Sequence, residues 1–128
     1  MAVHVVRLGS ERLPGEGLRI GTVRHPPRGV RKEEYAAQNY FDVWFPMLAP
    51  SAETLRAGRG AESERDWARF VRKYRSEMAS PSCKATLALL AALSHRADFS
   101  VGCYCADESL CHRSVLRELL RDLGASLA

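Results

Sequence analysis

Phe99-Ser-Val-Gly-Cys-Tyr-Cys-Ala-Asp-Glu-Ser-Leu-Cys-His-Arg-Ser-Val-Leu-Arg-Glu-Leu-Leu-Arg-Asp-Leu123 is the stretch whose reading decides the fold. Residues 99–105 read as a strand. Residues 114–123 place Val115, Leu116, Leu119, Leu120 and Leu123 on one face of an amphipathic helix that Gly124 stops. A strand handing over directly to a helix is the building unit of an α/β layered domain.

Working back toward the N-terminus, a helix over 83–96 lines Leu87, Leu90 and Leu93 or Ser94 on one side, with Pro81 and Ser82 separating it from the helix before. That earlier helix, about 62–79, gathers Trp67, Phe70, Val71, Tyr74 and Met78 on one face. Arg65, Arg69, Arg72 and Lys73 fall mostly off that face and read as a solvated basic surface. Residues 40–48 alternate Phe41, Val43, Phe45 and Met47, the pattern of a buried strand, with a helix as the competing reading; a loop or short helix containing Gly58 and Gly60 follows. Residues 3–8 and 18–24 are β-branched-rich runs around Pro14, Gly15 and Gly17, hence two strands and a turn-rich loop. His25-Pro-Pro-Arg-Gly29 is a loop just past a strand end, since its prolines cannot continue a helix or a central strand. The expected fold is a single α/β domain over 1–128, a small, partly parallel sheet flanked by helices.

The bulk properties agree with this. A chain of 128 residues with 46% hydrophobic and 27% charged residues is a globular domain in size and composition. No apolar run approaches the roughly 18–20 residues of a membrane span, and no basic-then-apolar secretory pattern opens the chain, so a cytoplasmic protein without a membrane partner is expected. Three of the four cysteines crowd into 103–111, which in a reducing compartment points to metal or redox chemistry before disulfides. The net charge is +4, and 16 of the 19 basic residues are arginine. Arginine's planar fork suits phosphate, but a GC-rich coding sequence also yields many arginines, so only those beside a motif carry weight.

The 103–113 turn is the candidate functional centre, lying where α/β sheets gather ligands, beyond a strand's carboxyl end and before a helix N-terminus. Three chemistries compete for it. A thiol nucleophile, Cys105 or Cys111, with Arg113 holding an oxyanion fits poorly, because the arginine of such loops follows its cysteine by six positions and Arg113 follows these two by eight and two. In a metal centre, Cys103 and Cys105 share a strand face, but Cys111 and His112 diverge by about 100° if both lie on a helix, and no C-x-x-C pair is present. No metal ligand or cofactor is therefore assigned. The third reading has no covalent chemistry: the loop and its arginines bind a phosphate-bearing ligand, and the cysteines are partly core, Cys103 above all. Asp107 and Glu108 are acidic candidates for orienting a water or favouring the helix N-terminus. Cys83, His4 and His25 read as structural or surface residues.

Tyr104-Cys-Ala-Asp-Glu-Ser-Leu-Cys-His-Arg-Ser-Val-Leu116, together with Arg24, Pro27-Arg-Gly29, Leu48-Ala-Pro-Ser51 and the Trp67–Arg75 helix, resembles the domain-of-unknown-function 488 family over nearly the whole chain. The resemblance implies a cytoplasmic, mostly prokaryotic single-domain α/β protein. It also implies that Arg24, Arg28, Tyr74 and Arg75 form a ligand-binding set in one pocket with Cys105, Glu108, His112 and Arg113 as the catalytic set. His25-Pro26 departs from the bulky apolar or aromatic residue expected before Pro-Arg-Gly. The leading expectation is an anionic, nucleotide-like or nucleic-acid ligand on which the protein acts or which it simply binds. A thiolate zinc, iron or redox site and a non-catalytic basic interaction module are the alternatives, and the sequence gives no oligomeric state.

Overall fold

The computed structural model describes residues 1–128 and confirms a layered α/β fold. Its sheet is wholly parallel, in the order β1-β4-β2-β3, built from β1 (Val3–Arg7), β2 (Leu18–Gly21), β3 (Val43–Trp44) and β4 (Phe99–Cys103). β4 lies between β1 and β2 and is buried along its whole length, as a strand covered on both faces must be.

The helices are α1 (Ala52–Arg59), α2 (Glu64–Met78), α3 (Pro81–Leu93) and α4 (His112–Asp122). Three of them begin at a serine whose side chain accepts a backbone N–H of the first turn: Ser51 from Thr54, Ser63 from Asp66 and Ser80 from Cys83. Pro81 is therefore the first residue of α3 and not a spacer before it, because the missing N–H of proline is harmless in a first turn. Phe70, Tyr74, Met78, Leu87, Leu90, Val115, Leu116 and Leu120 pack with Val3, Phe99 and Val101 into the main core. Ser94 is buried in α3 and Leu93 is exposed, and Leu123 at the end of α4 is exposed as well.

The expected buried strand over 40–48 is not there. Only Val43 and Trp44 pair, with Ile20 and Gly21, and both are exposed on the sheet edge. Asn39 takes a positive φ of 64° just upstream, and Pro46, which has no N–H for a ladder, opens a short 3-10 turn through Leu48. The aromatic content of the segment is used differently. Phe41 is buried on Gly21, where a Cβ would overlap the ring, and Met47 is exposed.

One cover of the sheet contains no α-helix, only a 3-10 turn at Lys32–Glu34. Segments 8–17 and 31–42 lie there, organised around Arg19, whose side chain is fully buried. Its guanidinium donates to the Glu16 carboxylate and to the carbonyls of Ser10 (2.9 Å), Glu11 (3.2 Å) and Asn39 (2.6 Å). The Arg19 N–H donates to Asp42, which is paired in turn with Arg12. A buried pair broken on one side leaves an uncompensated charge, so Arg19→Met is expected to cost about 3–5 kcal/mol of stability, read from urea unfolding midpoints.

Candidate functional site

The carboxyl ends of β1, β2 and β4 open into a cleft of about 980 Å³. Its walls come from Arg7–Ser10 after β1, Val23–Arg28 after β2, and Cys103 and Tyr104 at the end of β4, with Tyr40, Pro50, Leu55, Arg59 and His112 completing them. Arg7, Arg24, Arg28 and Arg59 converge there, and no aspartate or glutamate lines the cleft. Arg28 and Arg59 are exposed and free of ion pairs within the chain. The space is thus strongly electropositive.

Arg24 does a different job from Arg28. Its guanidinium donates to the carbonyls of Pro46 (3.1 Å), Ala49 (3.1 Å) and Pro50 (3.0 Å). From the opposite side the Tyr74 hydroxyl donates to the Leu48 carbonyl at 2.6 Å, and Glu77 accepts from the Ser51 N–H, the Ser51 hydroxyl and the Thr54 hydroxyl. These three residues clamp the Leu48-Ala-Pro-Ser51 turn and so position α1, which brings Leu55 and Arg59 to the cleft. Tyr74 is fully buried and stands outside the cleft. Arg75 is also outside it, paired with Glu118 of α4 at 2.6 Å. Glu108 makes a bidentate pair with Arg117 (2.7 and 2.9 Å) that staples the 104–111 loop to α4. Of the residues grouped by sequence, the cleft unites Arg24, Arg28 and His112; Tyr74, Arg75 and Glu108 act as supports around it.

Cys105 and Arg113 do not line the cleft; they belong to a cluster just behind it that reaches the wall through Cys103 and His112. Cys103 Sγ and Cys105 Sγ are 3.8 Å apart, and Cys111 Sγ is 3.9 Å from His112 Nδ1. The ligand atoms of Cys103, Cys111 and His112 all lie within 4.8 Å of one another. The divergence expected of Cys111 and His112 does not arise, because Cys111 precedes α4 with extended backbone (φ −133°, ψ 150°) and only His112 is helical. His112 Nε2 donates to the Thr22 carbonyl at 2.7 Å, leaving the Nδ1 lone pair toward Cys111. Burial lowers the His112 pKa to about 4, against the opposing pull of the Thr22 carbonyl, so the imidazole is neutral. Hydrogen bonds from the Cys103 and Cys111 thiols, aided by the charge of Arg113, hold Cys105 below the ordinary thiol range. Cys103 is pushed up by donating to Cys105 and Cys111 and by burial. Within the cluster the thiolate form is thus favoured at the exposed Cys105 and disfavoured at the buried Cys103. Arg113 is buried, donates to the Cys105 carbonyl at 2.6 Å, and leaves its Nε without a partner. Cys83 lies elsewhere, its thiol against the Met47 carbonyl.

Sequence reasoning missed Arg7, Arg59, Tyr40 and Thr22. Arg7 sits at a strand's carboxyl end, the same signal that pointed to Arg24. Arg59 and Thr22 carry no local signal, since only the tertiary fold brings them to the site.

The parallel sheet, with an arginine-walled cleft at its carboxyl edge and a thiol-imidazole cluster beside it, defines a small single-domain α/β protein. The chain belongs to the domain-of-unknown-function 488 family: the family model DUF488-N3a, described as the active DUF488-N3 subclade, matches residues 3–124. No curated protein and no solved structure matches it. No helix is long and apolar enough to cross a membrane.

The Glu77 clamp has a pH signature. Burial opposes its ionisation, but the Ser51 and Thr54 donors and the Arg24 charge outweigh it and hold its pKa below the ordinary carboxylate value. A depressed folded-state pKa gives stability that is complete above the unfolded pKa and lost as pH falls through the folded one. Glu77→Gln should lower stability by about 1 kcal/mol at neutral pH, a modest amount because the carboxylate is partly solvated, and flatten the decline of urea midpoints as pH falls below the ordinary carboxylate range.

Proposed function

We propose that the protein binds an anionic, nucleotide-like ligand, free or as part of a nucleic acid, in the cleft at the carboxyl ends of its strands. The observation that carries this reading is the convergence of Arg7, Arg24, Arg28 and Arg59 on a cleft without a single acidic wall residue. Arg28 and Arg59, with no ion pairs of their own, supply the forks for phosphate oxygens. Arg24, engaged with three carbonyls, adds its charge and fixes the wall.

Tyr40 and Tyr104 extend the reading from phosphate to nucleotide. Their rings meet edge to face with centroids 6.0 Å apart, and both line the cleft. The Tyr104 hydroxyl donates to the His25 carbonyl at 2.9 Å, which fixes that ring beside the arginines. An aromatic face next to guanidinium groups is the usual platform for a base with its phosphate, and stacking contributes about 1–3 kcal/mol per base.

Calorimetry with nucleoside mono-, di- and triphosphates and short single-stranded oligonucleotides tests this. Arg28→Ala and Arg59→Ala should each weaken binding about tenfold or more, with a salt dependence that becomes shallower in both variants. Binding unchanged in both variants, or absent across the panel in the wild-type protein, would exclude the reading.

A further inference from the structure

We infer that Cys103, Cys111 and His112 form the preorganised part of a zinc site that joins the end of β4 to the start of α4, with Cys105 of the adjoining loop drawn in as the fourth ligand when the metal binds. The donors are right in kind and number, since three thiolates and one imidazole make a closed tetrahedral zinc shell. The spacing is in place for three of them: Cys103, Cys111 and His112 are a mutually close set, whereas the exposed Cys105 lies outside that set, beside Cys103, and must swing in from its loop to complete the shell. With zinc–sulfur bonds of about 2.3 Å, a tetrahedron places neighbouring sulfurs about 3.8 Å apart. Cys103 Sγ and Cys105 Sγ are 3.8 Å apart, Cys111 Sγ and His112 Nδ1 are 3.9 Å apart, and Cys103, Cys111 and His112 present their ligand atoms within 4.8 Å of one another.

The surroundings prepare the imidazole for this role. Because His112 Nε2 donates to the Thr22 carbonyl, Nδ1 is the ring atom left with a lone pair, and it points at the sulfurs. A histidine whose far nitrogen is fixed by a backbone carbonyl is the usual outer support of a metal ligand. The Tyr74 ring packs edge-on against the imidazole at 5.4 Å and limits its rotation. Apolar packing alone gives no reason for three sulfurs and a ring nitrogen to converge, and separations near 3.8 Å are far from the roughly 2.05 Å of a disulfide. The fourth cysteine, Cys83, is excluded by position and serves as an internal control.

The test uses the full chain, purified reduced and without an affinity tag from zinc-supplemented medium, with metal measured by mass spectrometry. About one zinc per chain is expected, with Cys103, Cys105 and Cys111 protected from a thiol reagent until a chelator is added. Replacement by cobalt should give the intense visible bands of a tetrahedral site together with thiolate-to-cobalt charge transfer. Cys111→Ser and Cys105→Ser should each lower zinc affinity by at least about 100-fold, while Cys83→Ser leaves it unchanged. The cobalt spectrum of the wild-type chain decides the matter even where a cysteine variant fails to fold. Zinc well below stoichiometric with no tetrahedral cobalt spectrum would overturn the site, and so would iron in place of zinc. A Cys105→Ser variant with full affinity would overturn the four-ligand assignment.

Discussion

The burial of Arg19 in a cover without α-helices is the constraint around which this fold is arranged. Its guanidinium has no water to turn to, so every donor must find an acceptor inside the protein. The acceptors come from Ser10, Glu11 and Glu16 on one segment and Asn39 on another. Those bonds draw the β1–β2 connection and the 31–42 segment onto the same side of the sheet. Gly9, Ser10 and Tyr40, flanking that network, then become part of the cleft wall. One buried charge thereby ties the closure of the sheet to the shape of the site.

A second clamp works on the opposite flank. The turn at 46–51 is a coil of carbonyls that would otherwise look for solvent, and Arg24 and Tyr74 collect them from two sides while Glu77 takes the donors at the head of α1. The consequence is electrostatic as well as mechanical. Arg24 is held in the cleft by contacts that leave its charge uncancelled by any wall carboxylate, and α1 is oriented so that Arg59 of its last turn faces the same space. The site's field is a product of two loop clamps, and the sheet supplies only the floor.

How far the sequence discloses this differs from element to element. The strand and helix around 99–123 were legible because a five-residue apolar strand and an eleven-residue amphipathic helix each carry their own period. Residues 40–48 misled, since their alternation is real while Pro46 and the αL residue Asn39 prevent a ladder, and the aromatic side chains fill separate gaps. In the site, Arg24, Arg28 and His112 were legible from strand-end position and motif. Tyr74 holds the 46–51 turn from within the core and Arg75 pairs with Glu118 at the surface, so neither lines the cleft, a distinction that sequence similarity does not make. The Cys111–His112 pair was misjudged for a local reason: treating both as helical gave the wrong angle, and the helix starts one residue later than that reasoning needed.

The thiol cluster and the arginine cleft are connected through shared atoms. Cys103 and His112 line the cleft and belong to the cluster, and His112 reaches across to the carbonyl of Thr22 at the end of β2. Electrostatics then makes a point about their coexistence. Without a metal the thiolate form is favoured at Cys105 alone; with zinc, three thiolates and one divalent ion leave a single negative charge. Metal occupancy would leave the positive field of the cleft nearly unchanged while locking the strand end, the loop and the helix start into one rigid unit. The groups that attract an anion and the groups that fix the wall against which it rests can therefore operate side by side, the first through charge and the second through geometry.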